Sequence, residues 1–278
     1  MQKNNPVICH LEERCLIRIS GIDATSFLQD MVTNDVTKIG QDQIVYACLL
    51  TPQGRFLHDF FISKEGDNFF LECETGRRAD LIRRLNIFKL KAKVVIEDCY
   101  GLFGIYTSNE SPEGIVSFQD PRLNALGYRF YLPGNKTYPG AIAQEIYRDR
   151  RISLGIPEGS SDIRPEIDTP ANVNLDYLNT ISWDKGCYVG QEITALTKNR
   201  GVVKKRMLIV SGPMLTAGSI ISHNGHAVGE IRNVNSLRTQ GLAILKLVAL
   251  DDSSGQLVSS DGTVLAAQLP DWLKLEKV

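Results

Sequence analysis

Lys185-Gly186-Cys187-Tyr188-Val189-Gly190-Gln191-Glu192 sets one cysteine between two glycines, beside a lysine, and ends on an amide and a carboxylate. Two glycines within five positions imply a backbone held in a tight conformation or closely approached by another group. A cysteine reacts as its thiolate, and a neighbouring cation favours that form. Free cysteine is also among the most buried residue types. The residues alone therefore leave two readings open: a buried loop closed by a small apolar side chain, and a reactive thiol.

The flanks extend the pattern. Upstream stand Asn174-Leu175-Asp176-Tyr177-Leu178-Asn179 and Ile181-Ser182-Trp183-Asp184; downstream stand Ile193-Thr194-Ala195 and Arg200-Gly201-Val202-Val203-Lys204-Lys205-Arg206. Across about thirty contiguous residues this segment resembles the YgfZ-type folate-binding family, relatives of the glycine-cleavage T-protein (an aminomethyltransferase), and its second half is especially similar to the iron–sulfur cluster assembly branch. The resemblance implies an α+β fold. A T-protein-like, folate-binding body of two related α/β halves with antiparallel sheets surrounds a central opening, and a C-terminal β-barrel follows. Where many relatives carry arginine, this chain has Leu196; Lys198 and Arg200 are the cations nearest to take that place.

The remaining sequence bounds what the protein can be. Its 278 residues are enough for one large or two ordinary domains. A hydrophobic share of 43% supports a substantial core. A net charge of −1 gives no global field towards nucleic acid or an anionic membrane. No apolar run approaches the roughly 18 residues of a membrane span, and the start, Met1-Gln2-Lys3-Asn4-Asn5-Pro6, resembles neither a signal nor a transit peptide. A cytoplasmic location follows as the expectation, with a processed organellar form as the alternative, and with neither nucleic acid nor membrane as partner. The six cysteines are dispersed and form no CxxC pair, so reduced thiols are expected and no metal-binding set is visible. His223 and His226 flank Asn224-Gly225, which reads as a hairpin turn rather than a metal site.

Along the chain, strands are expected at 15–19, 44–50, 56–63, 69–73 and 92–97, and helices at 24–31, capped by Asp23, and at 77–90. Further strands at 102–106 and 128–132 and a helix at 141–152 follow. A Pro-rich connector at 155–170 leads to a helical turn at 175–178. Hairpins between the strands favour antiparallel sheets over a doubly wound fold. From about residue 201 six short β-like runs alternate with glycine turns, the spacing of a small barrel. The expected domains are 1–200 for the body, with halves of about 1–99 and 100–200, and 201–278 for the barrel.

Two further segments carry chemistry. The hairpin Leu49-Leu50-Thr51-Pro52-Gln53-Gly54-Arg55-Phe56-Leu57-His58-Asp59 reads by itself as an exposed turn. By resemblance it corresponds to a T-protein turn leading into paired aspartates, one of them catalytic; here the pair is His58-Asp59, so one carboxylate remains. Asp120-Pro121-Arg122 and Gly127-Tyr128-Arg129 read as a turn into a strand. By resemblance they lie where the T-protein holds folate, and an arginine fork suits a glutamyl carboxylate. Two basic stretches, 77–93 with only Asp80 as acid and 185–206 with only Glu192, are solvated faces or attractors of polyglutamylated folate or an acidic partner.

The resemblance implies a tetrahydrofolate-binding accessory factor for assembly or repair of iron–sulfur proteins. Tetrahydrofolate or a derivative is the expected cofactor, with no resident metal, and iron–sulfur client or assembly proteins are the partners. The expected chemistry rests on Cys187, with Lys185 favouring its thiolate, and on Asp59. Arg55, Arg122, Arg129, Tyr188, Gln191 and Glu192 are the expected ligand contacts, and the opening is expected to have Cys187 near its rim. The alternative is an aminomethyltransferase of the glycine-cleavage type, carried by Asp59.

Overall fold

Apolar strands between Arg14 and Asp98 build the first sheet. The computed structural model describes residues 6–134, 136–200, 203–251 and 255–275, without the side chains of 199, 200 and 251. The chain runs through β1 (Ile8–His10), β2 (Arg14–Ser20), α1 (Ala24–Met31), β3 (Ile44–Leu50), β4 (Phe56–Glu65), β5 (Asn68–Glu74), α2 (Arg78–Lys89) and β6 (Val95–Asp98). Strands β2 to β6 form one sheet in the order β3-β4-β5-β2-β6, with the β4–β5, β5–β2 and β2–β6 pairings antiparallel. Phe27, Leu28 and Met31 of α1 and Leu81 and Leu85 of α2 bury the helical stripes against its core.

A second sheet, order β1-β7-β9-β8, adds β7 (Phe103–Ser108), β8 (Ser117–Gln119) and β9 (Tyr128–Pro133). Then come α3 (Glu145–Ser153), the single turn α4 (Gly159–Asp162) and α5 (Gln191–Arg200). The last part is a closed antiparallel barrel, in the order β10 (Lys205–Ser211), β13 (Gln240–Lys246), β12 (His226–Val234), β11 (Ile220–His223), β14 (Leu257–Ser259) and β15 (Val264–Gln268). The short helix α6 (Val248–Asp251) lies between β13 and β14 in sequence. His223 pairs with His226 across Asn224 and Gly225, both at positive φ (49° and 76°), the backbone that an Asn-Gly turn supplies. Among the described residues, no helix is long and apolar enough to cross a membrane.

Tertiary contacts divide the chain into two compact units. The first comprises residues 1–53, 57–147 and 178–191, and holds both open sheets. The second comprises 54–56, 148–177 and 192–278, and holds the barrel. The chain thus leaves the first unit after Tyr147 and returns to it at Leu178, carrying the cysteine segment with it.

Two local expectations change, and one element was not expected. Asp23 precedes α1 but makes no side-chain cap. Gly21, at φ +115°, lies so close to the Lys93 carbonyl that any Cβ would collide with it, and the Asp23 carboxylate accepts the Lys93 N–H at 2.7 Å instead. The helix expected from residue 141 begins at Glu145, because Ile142 exchanges backbone hydrogen bonds with Ile8 and His10 beside β1. The stretch after the cysteine motif forms α5, which its weak apolar periodicity did not announce.

Candidate functional site

Helix α1 ends at Met31, and the last carbonyls of a helix need donors from elsewhere. Lys185 supplies a donor to one of them and to two carbonyls just after the helix. Its Nζ donates to the carbonyls of Gln29 (2.6 Å), Val32 (2.7 Å) and Asn34 (2.8 Å), which uses all three ammonium hydrogens. The side chain is buried; burial pushes its pKa down to about 8, against the opposing pull of Asp35 and Asp30. A cation at the negative end of a helix is favourably placed.

The rest of the motif follows this clamp. Ser182 donates its N–H to the Thr33 carbonyl at 3.0 Å, and Val189 donates to the Asp30 carbonyl at 3.2 Å. Val189 also packs on the core of the five-stranded sheet. The Tyr188 ring is buried, 5.3 Å from the Lys185 ammonium. Gly190, at φ +84°, turns the chain into α5, whereas nothing crowds the position where a side chain at Gly186 would stand. Of the six cysteines, five are buried and Cys187 is exposed. Lys185 was expected to favour the Cys187 thiolate; its hydrogens are committed to Gln29 at the end of α1 and to Val32 and Asn34 after it, so it positions the loop.

Asp59 lies in a buried polar network of the same unit. The Tyr46 hydroxyl donates to its Oδ2 at 2.5 Å. The ring of Tyr46 lies 4.9 Å from the Arg122 guanidinium, which donates to both oxygens of Asp120 (3.0 and 2.7 Å) and to the Tyr147 hydroxyl (2.7 Å). Arg129 makes a two-pronged contact with Glu72, donates to the Tyr147 hydroxyl at 2.9 Å, and lies 3.9 Å from the centre of the Phe61 ring. Arg14 Nε donates to Glu72 Oε1 at 3.1 Å. Three guanidinium groups thus accompany three carboxylates, all buried. Buried charges persist when paired and hydrogen-bonded in this way.

This geometry corrects the expectation that Arg122 and Arg129 present their forks to a folate tail. Both side chains have 0% exposure and are engaged by Asp120 and Glu72. His58, next to Asp59, lies in other surroundings: its Nε2 is 2.9 Å from Asp80 Oδ2, and burial together with Arg77 pushes the imidazole down to about 4, so it is neutral at pH 7.

A cavity of about 660 Å³ opens in the first unit, with Leu16, Phe70, Phe103, Phe118, Tyr131 and Lys64 in its wall. That is the size of a small-ligand site. Tyr131 joins it to the ionic network by donating to Glu72 Oε2 at 3.2 Å. Among the described residues, the lining of this cavity contains none of the motif from Lys185 to Gln191. Tyr188 is packed beneath Lys185, Gln191 opens α5, and Glu192 is exposed in its first turn. Arg55 donates to the Ile167 carbonyl at 2.7 Å within the second unit. Leu196 is half-exposed on α5; Gly201, Val202 and the side chain of Arg200 lie outside the described residues.

Sequence reading missed Glu72, Tyr46 and Tyr147. Glu72 left a signal: a lone carboxylate inside Phe69-Phe70-Leu71-Glu72-Cys73, where burial demands a cationic partner. The partners of Lys185 left none, because they are main-chain carbonyls.

Residues 5–101 match the family described as the GCVT N-terminal domain, and residues 204–275 match the CAF17 C-terminal beta-barrel domain. The human mitochondrial iron–sulfur cluster assembly factor IBA57 is 31% identical over 94% of this chain and 84% of its own length. The mouse protein of that name is 30% identical with the same coverage. A mitochondrial IBA57 homolog from Pyricularia oryzae is 34% identical over 71% of this chain and 55% of its own length. The crystal structure of the glycine cleavage system aminomethyltransferase T from Bartonella henselae superposes with a TM-score of 0.78, covering 96% of this chain and 86% of that one, at 14% identity. So low an identity shows a shared fold alone. The relatives are mitochondrial by name, which overturns the cytoplasmic expectation and points to the mitochondrion. Targeting segments are cut from mature chains, so the look of an amino terminus is a poor guide to compartment.

Proposed function

The chain belongs to the IBA57-type iron–sulfur cluster assembly factors, and on that premise we propose that it acts through the Cys187 thiol, with tetrahydrofolate or a derivative bound in its first unit. The observation that carries the reading is the exposure of Cys187 on a loop whose base is clamped to the end of α1 and the turn after it by three hydrogen bonds from Lys185. A thiol so held meets a partner protein or a cluster in a fixed position, at low cost in loop entropy. The cluster is cargo here; the Cys187 thiolate takes the place of one thiolate ligand on it, and the displaced cysteine of the client or assembly protein takes up the proton.

For the folate part, the cavity supplies aromatic faces at Phe70, Phe103, Phe118 and Tyr131 for a flat heterocycle, and Lys64 as a cation for a glutamyl carboxylate. A bound folate supplies one-carbon chemistry; the chain's own residues bind and orient it. Titration calorimetry with tetrahydrofolate tests this directly. Binding weakened at least tenfold in Lys64→Ala supports it, and no heat at millimolar ligand removes the folate from the proposal while leaving the cysteine role intact.

The cysteine role is tested in cells lacking the gene, by aconitase activity after rescue with wild type or Cys187→Ala at matched protein levels. Restoration by wild type alone is the expected result; full rescue by the variant sinks the role. A second reading, aminomethyl transfer, draws on Asp59, which remains with Tyr46 as hydrogen-bond donor. Turnover of an aminomethylated lipoyl carrier protein with tetrahydrofolate, lost in Asp59→Asn, would reverse the ranking.

A further inference from the structure

Cys15 on β2 and Cys73 on β5 are direct partners in the antiparallel ladder. Their Sγ atoms are 3.9 Å apart, and both side chains are buried on the core face of the sheet. We propose that this pair is a redox-active dithiol, a modification site at which a hydroperoxide closes an intramolecular disulfide between the two strands. It is independent of Cys187 and of the folate reading.

Directly opposed residues of an antiparallel pair have Cα atoms about 4.5–5.5 Å apart. A disulfide accepts about 4.4–6.8 Å. The ordinary ladder spacing thus lies within the range of a disulfide, and the sulfurs would close from 3.9 Å to about 2.05 Å. The two thiols are unequal. A hydrogen bond from Cys73 draws the Cys15 thiol down against its burial, helped by Thr75, Arg14 and Arg78. The same hydrogen bond, together with burial, pushes Cys73 up. Cys15 is thus the attacking sulfur and Cys73 the one that keeps its proton.

The Cys15 thiolate attacks one peroxide oxygen. The O–O bond breaks, a sulfenic acid forms on Cys15, and the departing hydroxide (or alkoxide) takes up a proton. The Cys73 sulfur then attacks Cys15, the S–O bond breaks, and the hydroxyl leaves as water with the Cys73 proton. Two thiols lose two electrons and two protons, and hydrogen peroxide becomes two waters. Arg14 and Glu72 are the sequence neighbours of these cysteines and form an ion pair with each other. The new bond would therefore fix the two strands beside the ionic network.

The test uses the full chain, as wild type and as Cys187→Ser to remove the exposed thiol. After treatment with hydrogen peroxide, samples are quenched in acid, denatured, alkylated and mapped by mass spectrometry. The expected result in both proteins is loss of alkylation at Cys15 and Cys73 together. A cross-linked peptide two hydrogens lighter than its parts should appear, and dithiothreitol should restore both labels. Cys15→Ser and Cys73→Ser should each leave the other cysteine labelled; if either fails to fold, the wild-type cross-link map decides alone. Full labelling of both, a sulfinic acid at Cys15 without a cross-link, or a bond from either to another cysteine overturns the proposal.

Discussion

His58 and Asp59 are adjacent on β4 and have different surroundings. His58 titrates at about 4 in the folded protein, below the ordinary 6.5, chiefly because burial disfavours the cation. The unfolded chain therefore binds its proton first. The stabilisation is fully present above about pH 6.5 and is lost as the pH falls towards 4. The gap corresponds to on the order of 3 kcal/mol at most. Urea unfolding at a series of pH values should show a flatter acid limb for His58→Gln than for wild type; equal slopes would remove His58 as the cause. Asp80, held well below the usual carboxylate range although burial opposes this, adds its own loss only at lower pH. Cys187 is a contrasting residue. Because it is exposed, Cys187→Ser should shift stability by less than about 0.5 kcal/mol, and urea unfolding checks that the functional variant is folded. The adjacency of His58 and Asp59 was legible in the sequence. Their separation into a neutral imidazole beside Asp80 and a carboxylate beside Tyr46 was not, because it depends on which neighbouring elements cover each face of β4.

The element that matters most for the site is the end of α1. Lys185→Met removes a charge and leaves three carbonyls without their donor, which should cost about 2–4 kcal/mol. The loss should be local, seen as faster amide exchange at Ser182 and Val189. Lys185→Arg should not restore protection, because a planar guanidinium replaces a tetrahedral donor that meets three separate carbonyls. Unchanged exchange in Lys185→Met would mean that the motif is held by Val189 and Tyr188 alone. The strand β5 poses the matching question in the network. Glu72→Gln leaves Arg129 and Arg14 beside a neutral amide, and breaking a buried pair in this way costs about 3–5 kcal/mol. Thermal unfolding of that variant gives the check. Periodicity in the sequence located α1 and β5 to within a residue or two. It carried no trace of the Lys185 clamp, since main-chain carbonyls look the same in every sequence.

At the scale of the whole molecule, each compact unit holds apolar cores among its described residues: under the five-stranded sheet and on the four-stranded sheet in the first, and inside the barrel in the second. Ile231→Ala removes a fully buried side chain from the barrel core, at about 2–5 kcal/mol. Native-state hydrogen exchange should then show lost protection in β10 to β15 and unchanged protection in β2, β4 and β5. An equal fall in both would make the chain a single cooperative unit.

Alternation, turn residues and the Asn224-Gly225 hairpin specify strands through local backbone and burial preferences, so antiparallel sheets and a terminal barrel followed from the sequence alone. The segment from Asn174 to Arg206 likewise sufficed to identify the family, because its side chains and glycines are set one beside another along the chain. Tertiary structure decided what each of those side chains touches. It turned Lys185 towards α1, closed Arg122 and Arg129 on Asp120 and Glu72, and set Cys15 against Cys73. These are contacts between residues distant in sequence. They are fixed by sheet register and by the need of buried charges for partners, and neither can be read from a single stretch of chain.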